Sequence, residues 1–209
     1  MMRYYLYISD TKLDMLRAQI PVNKLKAIAA GLKIDLKLLS VSLERKSASD
    51  DAYAKLRTVE KYLEENDEIG TESEPRSYFR GTTLMKTGIM KETNAEYAYF
   101  GGHSSGRSIA LVGAPHHLVG GTARMNDIQS PAAHGYLLPI ILECLRGNVT
   151  IDSEEAETRL KNRSGFDYLI DQINHDINSP AQPMEYLAKR LAMGDDYILA
   201  TPLYVALAD

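Results

Sequence analysis

The chain contains no tryptophan, only three phenylalanines, and a single cysteine among 209 residues. One cysteine excludes an intramolecular disulfide. Cys144 lies in the apolar run 137–145 and reads as a small buried hydrophobe rather than a reactive thiol. No apolar run approaches the roughly 18 residues that a membrane span requires. The apolar stretch at the N-terminus is closed by Asp10 and is too short for a secretory signal. Positive charge is also scarce: 24 Lys and Arg stand against 28 Asp and Glu, a net charge of −4. That balance argues against a surface built to grip nucleic-acid phosphates, and Lys24, Lys26, Lys33 and Lys37 alternate with apolar residues as a solvated face does. The sequence therefore predicts a cytoplasmic protein without membrane association or nucleic-acid binding.

Signatures of cofactors and metals are missing as well. The glycine-rich run 101–106 does not end in the Gly-Lys-Ser/Thr of a phosphate-binding loop. The histidines, His103, His116, His117, His134 and His175, include no pair at the spacing of zinc ligands on a helix, and adjacent His116 and His117 would leave a strand on opposite faces. No metal and no cofactor are expected.

What remains is an ordinary globular composition, 44% hydrophobic and 25% charged, with one excess: 13 tyrosines. A chain of this length buries about 70% of its unfolded surface and needs no staple. The tyrosines cluster in segments that read as strands, where an apolar ring with a polar tip suits a half-buried position.

The elements follow from periodicity. Residues 3–9 read as a strand, and Asp10-Thr11 as the cap of a helix carrying Leu13, Leu16 and Ile20 at helical spacing. Pro21 separates it from a helix over Val22 to Gly31. A strand is expected over 34–43, a helix over 51–66 with Leu56, Val59, Tyr62 and Leu63 inward, and a loop over 67–76. From Tyr78 to Gly120 the chain is β-branched, aromatic and glycine-rich, with turn signals at Gly81, Gly88, Asn94, Gly101-Gly102, Gly106 and Gly113; it reads as an antiparallel meander. Helices are expected after Ser130-Pro131, after Asp152 (with Phe166, Leu169, Ile170, Ile173 and Ile177 as its stripe) and over Pro183 to Met193, with Tyr186, Leu187 and Leu191 inward. A strand or strand pair covers 197–207. The fold class is α+β: one domain, 1–209, whose mixed or antiparallel sheet, with a central meander at 78–120, is packed by helices.

Three constellations could carry chemistry. Gly102-His103-Ser104-Ser105-Gly106 matches G-x-S-x-G, in which a strained strand-to-helix turn exposes a nucleophilic serine. Ser104 would need Asp152 or Asp167 as acid and His175 as base. The residues after Gly106 fit the second arm of a hairpin better than a helix. Asp10, Thr11 and Lys12 lie where a strand gives way to a helix, a place where charged groups and free backbone N–H groups face ligands. Arg80 sits among apolar residues in a strand, where a guanidinium is either ion-paired or holds an anion.

The segments Tyr4–Leu16, Gln19-Ile20-Pro21, Asp35–Ser40, Leu84-Met85 with Gly88, Tyr99–Gly102, His117–Gly120, Glu185–Leu191 and Thr201–Ala206, taken in order, resemble a bacterial family, common in actinomycetes, of unknown function. The resemblance spans essentially the whole chain. It implies an intracellular bacterial protein, conceivably of a defence or signalling system. It also implies a glycine-rich turn at 102–106 without a fixed G-x-S-x-G, and it turns attention to Asp10, Lys12 and His117, which fall inside the matching segments.

The reading that follows is a non-enzymatic module binding a small molecule or a protein partner through Asp10, Thr11, Lys12, Arg80 and His117. The alternatives are a serine hydrolase acting through Ser104, Asp152 and His175, and a structural subunit that forms homo-oligomers through tyrosine-rich strand edges.

Overall fold

A computed structural model describes residues 3–32, 48–92, 95–120, 127–128, 170, 173–175 and 177–208. The strand expected over 34–43, the helix at Ser130-Pro131, most of the helix after Asp152, and Cys144, His134, Asp152 and Asp167 lie outside the described residues.

Strand β1 (Tyr4–Ile8) leads into helix α1 (Asp10–Gln19), with α2 at Val22–Leu32 and α3 at Ala48–Glu65. Ser9, rather than Asp10 or Thr11, is the N-cap of α1, and its side chain makes no capping hydrogen bond. Helix α2 continues through Gly31, and Leu56, Val59 and Leu63 of α3 are buried as the periodicity predicts. Strand β2 (Ile69–Thr71) pairs in parallel with the start of β3 (Tyr78–Glu92), a short strand within the segment expected to be loop. Then come β4 (Ala95–Ser104), β5 (Arg107–Gly113), a 3₁₀ turn at Pro115–His117, β6 (Asp127–Ile128), β7 (Gln182–Met193) and β8 (Tyr197–Leu207).

The meander is present as β3–β4–β5, yet it does not end as an open sheet. Strand β5 pairs in parallel with β8, β8 pairs with β7, and β7 pairs with the first half of β3. The circuit closes a five-stranded barrel. Strand β1 extends it by pairing with the C-terminal half of β8, beyond the segment taken by β5.

Closure explains the expected helix that is a strand. Residues 183–193 form a strand, not a helix. Met184, Tyr186 and Ala188 enter the barrel interior while Leu187 lies under the helices. With apolar side chains on both faces, the run loses the alternation that marks a half-exposed strand and takes on the look of a helical stripe. Four of the glycine turn signals, Gly81, Gly88, Gly101 and Gly102, are likewise interior to strands. Gly81 and Gly101 leave room for other side chains, Glu72 with Tyr186 at the first and Asn174 at the second. The turn at Ser105-Gly106 is real. Both residues have positive φ, 54° and 77°, as a two-residue hairpin of the I′ kind demands.

Three apolar clusters hold the barrel. Its interior contains Tyr7, Phe79, Met85, Phe100, Ile109, Leu111 and Tyr186, with edge-to-face contacts between Tyr7 and Phe100 (5.8 Å) and between Phe79 and Tyr186 (5.7 Å). Helices α1 and α3 cover one outer wall through Leu13, Leu56, Val59, Leu187 and Tyr204. Ile170, Ile173 and Ile177 cover another through Tyr99, Val112 and Leu199. Among the described residues, no helix is long and apolar enough to cross a membrane.

Candidate functional site

The β1–α1 junction is built by alternation. Tyr7 and Ser9 point to one side of the chain as it leaves the strand, and the first turn of α1 brings Lys12 back over them. Ser9 is buried; its backbone N–H donates to Leu203 O at 2.9 Å and its carbonyl accepts from Leu13 N at 3.0 Å. With no capping duty, its hydroxyl accepts from Lys12 Nζ at 3.3 Å, and the same ammonium donates to the Pro202 carbonyl at 3.4 Å. Lys12 Nζ also lies 5.9 Å from the centroid of the Tyr7 ring. His117, at the end of the 3₁₀ turn, shares a hydrogen bond of 3.3 Å between Nε2 and Thr11 Oγ1. Its ring meets Tyr7 edge-on at 5.8 Å and His116 at 4.1 Å.

Burial dominates the electrostatics. It brings the Lys12 ammonium down to about 8, because among the described residues no carboxylate stands beside it. His117 falls to about 4, through burial first and then through its cationic neighbours His116 and Lys12. The Tyr7 phenol is pushed up to about 12 by burial, opposed by the nearby Ser9 hydroxyl and Ala114 backbone N–H, and its oxygen completes no hydrogen bond among the described residues. Among the described residues, the corner thus collects basic and hydroxyl groups and no acid.

The structure joins Thr11, Lys12 and His117 and leaves the other expected residues elsewhere. Asp10 belongs to the seam between α1 and α3. Burial raises its carboxyl, tempered by Lys55, which binds Asp14 (2.9 Å) and Asp51 (2.8 Å). Arg80 donates to Glu60 (2.7 Å) and Glu64 (2.8 Å) of α3, in a network that continues through Arg3 to Glu185. It lines an open groove of about 440 Å³ with Glu64, Asp67, Thr71 and Thr82. Cross-strand register carries Arg80 to Leu187, Leu187 to Tyr204 and Tyr204 to Ile8. That makes three steps of about 4.8 Å each between Arg80 and the β1 end.

Ser104 ends β4 on the inner side of the barrel and turns directly into β5, a strand-to-strand turn where the nucleophile elbow has a strand followed by a helix. Its hydroxyl donates to Glu72 Oε2 at 2.5 Å, and no imidazole bonds to it among the described residues. His103 Nδ1 approaches Ser108 Oγ at 3.4 Å instead, and His175 is exposed. Tyr7, Ser9, Glu72 and Tyr186 were missed in the sequence. Ser9 and Lys12 carried a usable signal, a hydroxyl and an amine three residues apart at a strand–helix junction; Glu72 carried none. Among the described residues, no group of three or more His, Cys, Asp or Glu could hold a metal ion.

Residues 3–209 match the model of a family described as a family of unknown function (DUF7019), so the chain belongs to that family. No curated protein and no solved structure matches it.

Proposed function

We propose that this member of a family of unknown function binds a small anion at the corner formed by Thr11, Lys12 and His117. One observation carries the reading: the half-buried Lys12 ammonium has only a hydroxyl and a carbonyl as hydrogen-bond partners among the described residues. An ammonium has three donors, so one is left for a ligand. A cation withdrawn from water without an opposing charge is costly, and an anion would supply what is missing. The first backbone N–H groups of α1, whose hydrogen-bond ladder begins with Leu13 N to Ser9 O, add partial positive charge on the same side. Thr11 is exposed and offers a hydroxyl at the rim; the neutral His117 imidazole offers a further hydrogen-bonding nitrogen.

Calorimetric titration of the full chain with inorganic phosphate and with acetate tests this. Binding that falls at least tenfold in Lys12→Met, with the fold intact by circular dichroism, is the expected result. Equal affinity in the two proteins would remove the assignment.

A further inference from the structure

The opposite mouth of the barrel is closed by a strap, residues 72–77, between β2 and β3. From it the Glu72 side chain reaches the barrel. Oε1 accepts from the hydroxyl of fully buried Tyr186 at 2.6 Å, and Oε2 accepts from Ser104 at 2.5 Å. The missing side chain of Gly81 makes the space: a Cβ there would collide with both the Glu72 carboxylate and the Tyr186 hydroxyl. Glu72 enters no ion pair among the described residues. Two arginines nevertheless flank the strap and bind its backbone. Arg107 Nη1 donates to the carbonyls of Glu72 (3.3 Å) and Ser73 (3.2 Å), and Arg190 Nη1 to that of Pro75 (2.9 Å).

We propose that this mouth is a binding site for a small aliphatic carboxylate, with Glu72 as the protein's own occupant. The donor pair is arranged for one carboxylate, one hydroxyl to each oxygen, and the present tenant is itself a carboxylate. An incoming ligand satisfies Tyr186 and Ser104 as Glu72 does. When the strap lifts, it also frees Arg107 and Arg190 from neutral carbonyls, so that they can pair with the ligand's charge, and charge-assisted hydrogen bonds are the stronger kind. Beyond Tyr186 the interior is filled by Phe79, Met85 and Met184. Only the carboxylate enters, and the tail leaves along the path of the strap. The site is separate from the Lys12 corner and does not depend on it.

Acetate is the probe, titrated against the full chain by saturation-transfer NMR with sodium chloride as the ionic-strength control. Glu72→Ala empties the mouth and should bind acetate at least tenfold more tightly than the wild-type chain, and acetate should raise its Tm. Adding Tyr186→Phe to it should abolish both effects, while adding Lys12→Met should change neither. In the wild-type chain, 50 mM propionate should speed hydrogen exchange of the Thr71 and Arg190 amides, which donate to strap carbonyls at Glu74 and Ser77. Should Glu72→Ala not fold, Glu72→Gln keeps the shape without the charge and serves in the same comparison. A Glu72→Ala acetate affinity equal to that of the wild type, a gain over the wild type that survives Tyr186→Phe, or unchanged exchange under propionate would each overturn the proposal.

Discussion

Thr11 and His117 are separated by 106 positions in the chain and meet side chain to side chain at 3.3 Å. That contact pins the 3₁₀ turn after β5 against the first turn of α1 and walls one side of the space where Lys12 lies over Tyr7. The consequences are testable.

Lys12→Met should stabilise the empty protein by about 1–2 kcal/mol at pH 7, since it removes a desolvated cation that has no opposing charge among the described residues and sets a thioether against the Tyr7 ring. Urea unfolding would show the midpoint rising while anion binding is lost, a trade of function for stability. A fall in midpoint would mean that the ammonium already has a compensating partner.

Anion affinity should be flat below pH 8 and should decline above it. The free Lys12 titrates near about 8, and only its charged form attracts the ligand. Binding should therefore take up protons near that pH, and the calorimetric heat should depend on the ionisation enthalpy of the buffer.

Stability should fall on acidification from about pH 6.5 to about 4 in a manner traceable to His117. Its folded pKa, about 4, is below the ordinary value. The unfolded chain therefore binds the proton first, and stability present above pH 6.5 is lost as pH drops. His117→Gln should narrow the difference between urea midpoints at pH 7 and pH 4.5; identical pH dependence would remove His117 as the cause.

Arg80→Met should destabilise the fold by about 1–3 kcal/mol and leave anion binding at Lys12 unchanged. It strands Glu64 and leaves Glu60 with Arg3 alone, and their partial exposure keeps the loss below that of a fully buried pair. Thermal unfolding and phosphate titration of the same preparation separate the two effects.

Gly81→Ala should expel Glu72 from the barrel mouth and cost about 1–3 kcal/mol as an overpacking change. Faster hydrogen exchange at Thr71 would locate the damage in the strap.

Local readings of the chain succeeded where short-range chemistry is decisive. The 3.6-residue stripe of α3, the strand of alternating tyrosines at the N-terminus and the Ser105-Gly106 hairpin turn follow from neighbours in sequence. The same logic failed over 183–193, where burial on both faces erased the alternation, and at Gly81, where the glycine serves a side chain nine residues upstream rather than a turn. The candidate site was half legible. Thr11 and Lys12, named from their local setting, converge with His117, to which the family resemblance drew attention; Asp10 and Arg80, also chosen from their local settings, are answered by Lys55 and by Glu60 with Glu64.

The sequence by itself determined the class of the protein: a mixed α and β chain with a sufficient apolar core, no disulfide, and tyrosines placed in strands, all consequences of composition and period. Only the tertiary structure decided that the sheet closes on itself, and with it which polar groups lack partners. Closure depends on β5 meeting β8 and β7 meeting β3 across about half of the chain's length, and no local rule carries that information. Whether a charge is answered is likewise a property of space rather than of order. Lys12 and Arg80 look alike in sequence, and the fold brings two carboxylates to one and leaves the other with a hydroxyl and a carbonyl.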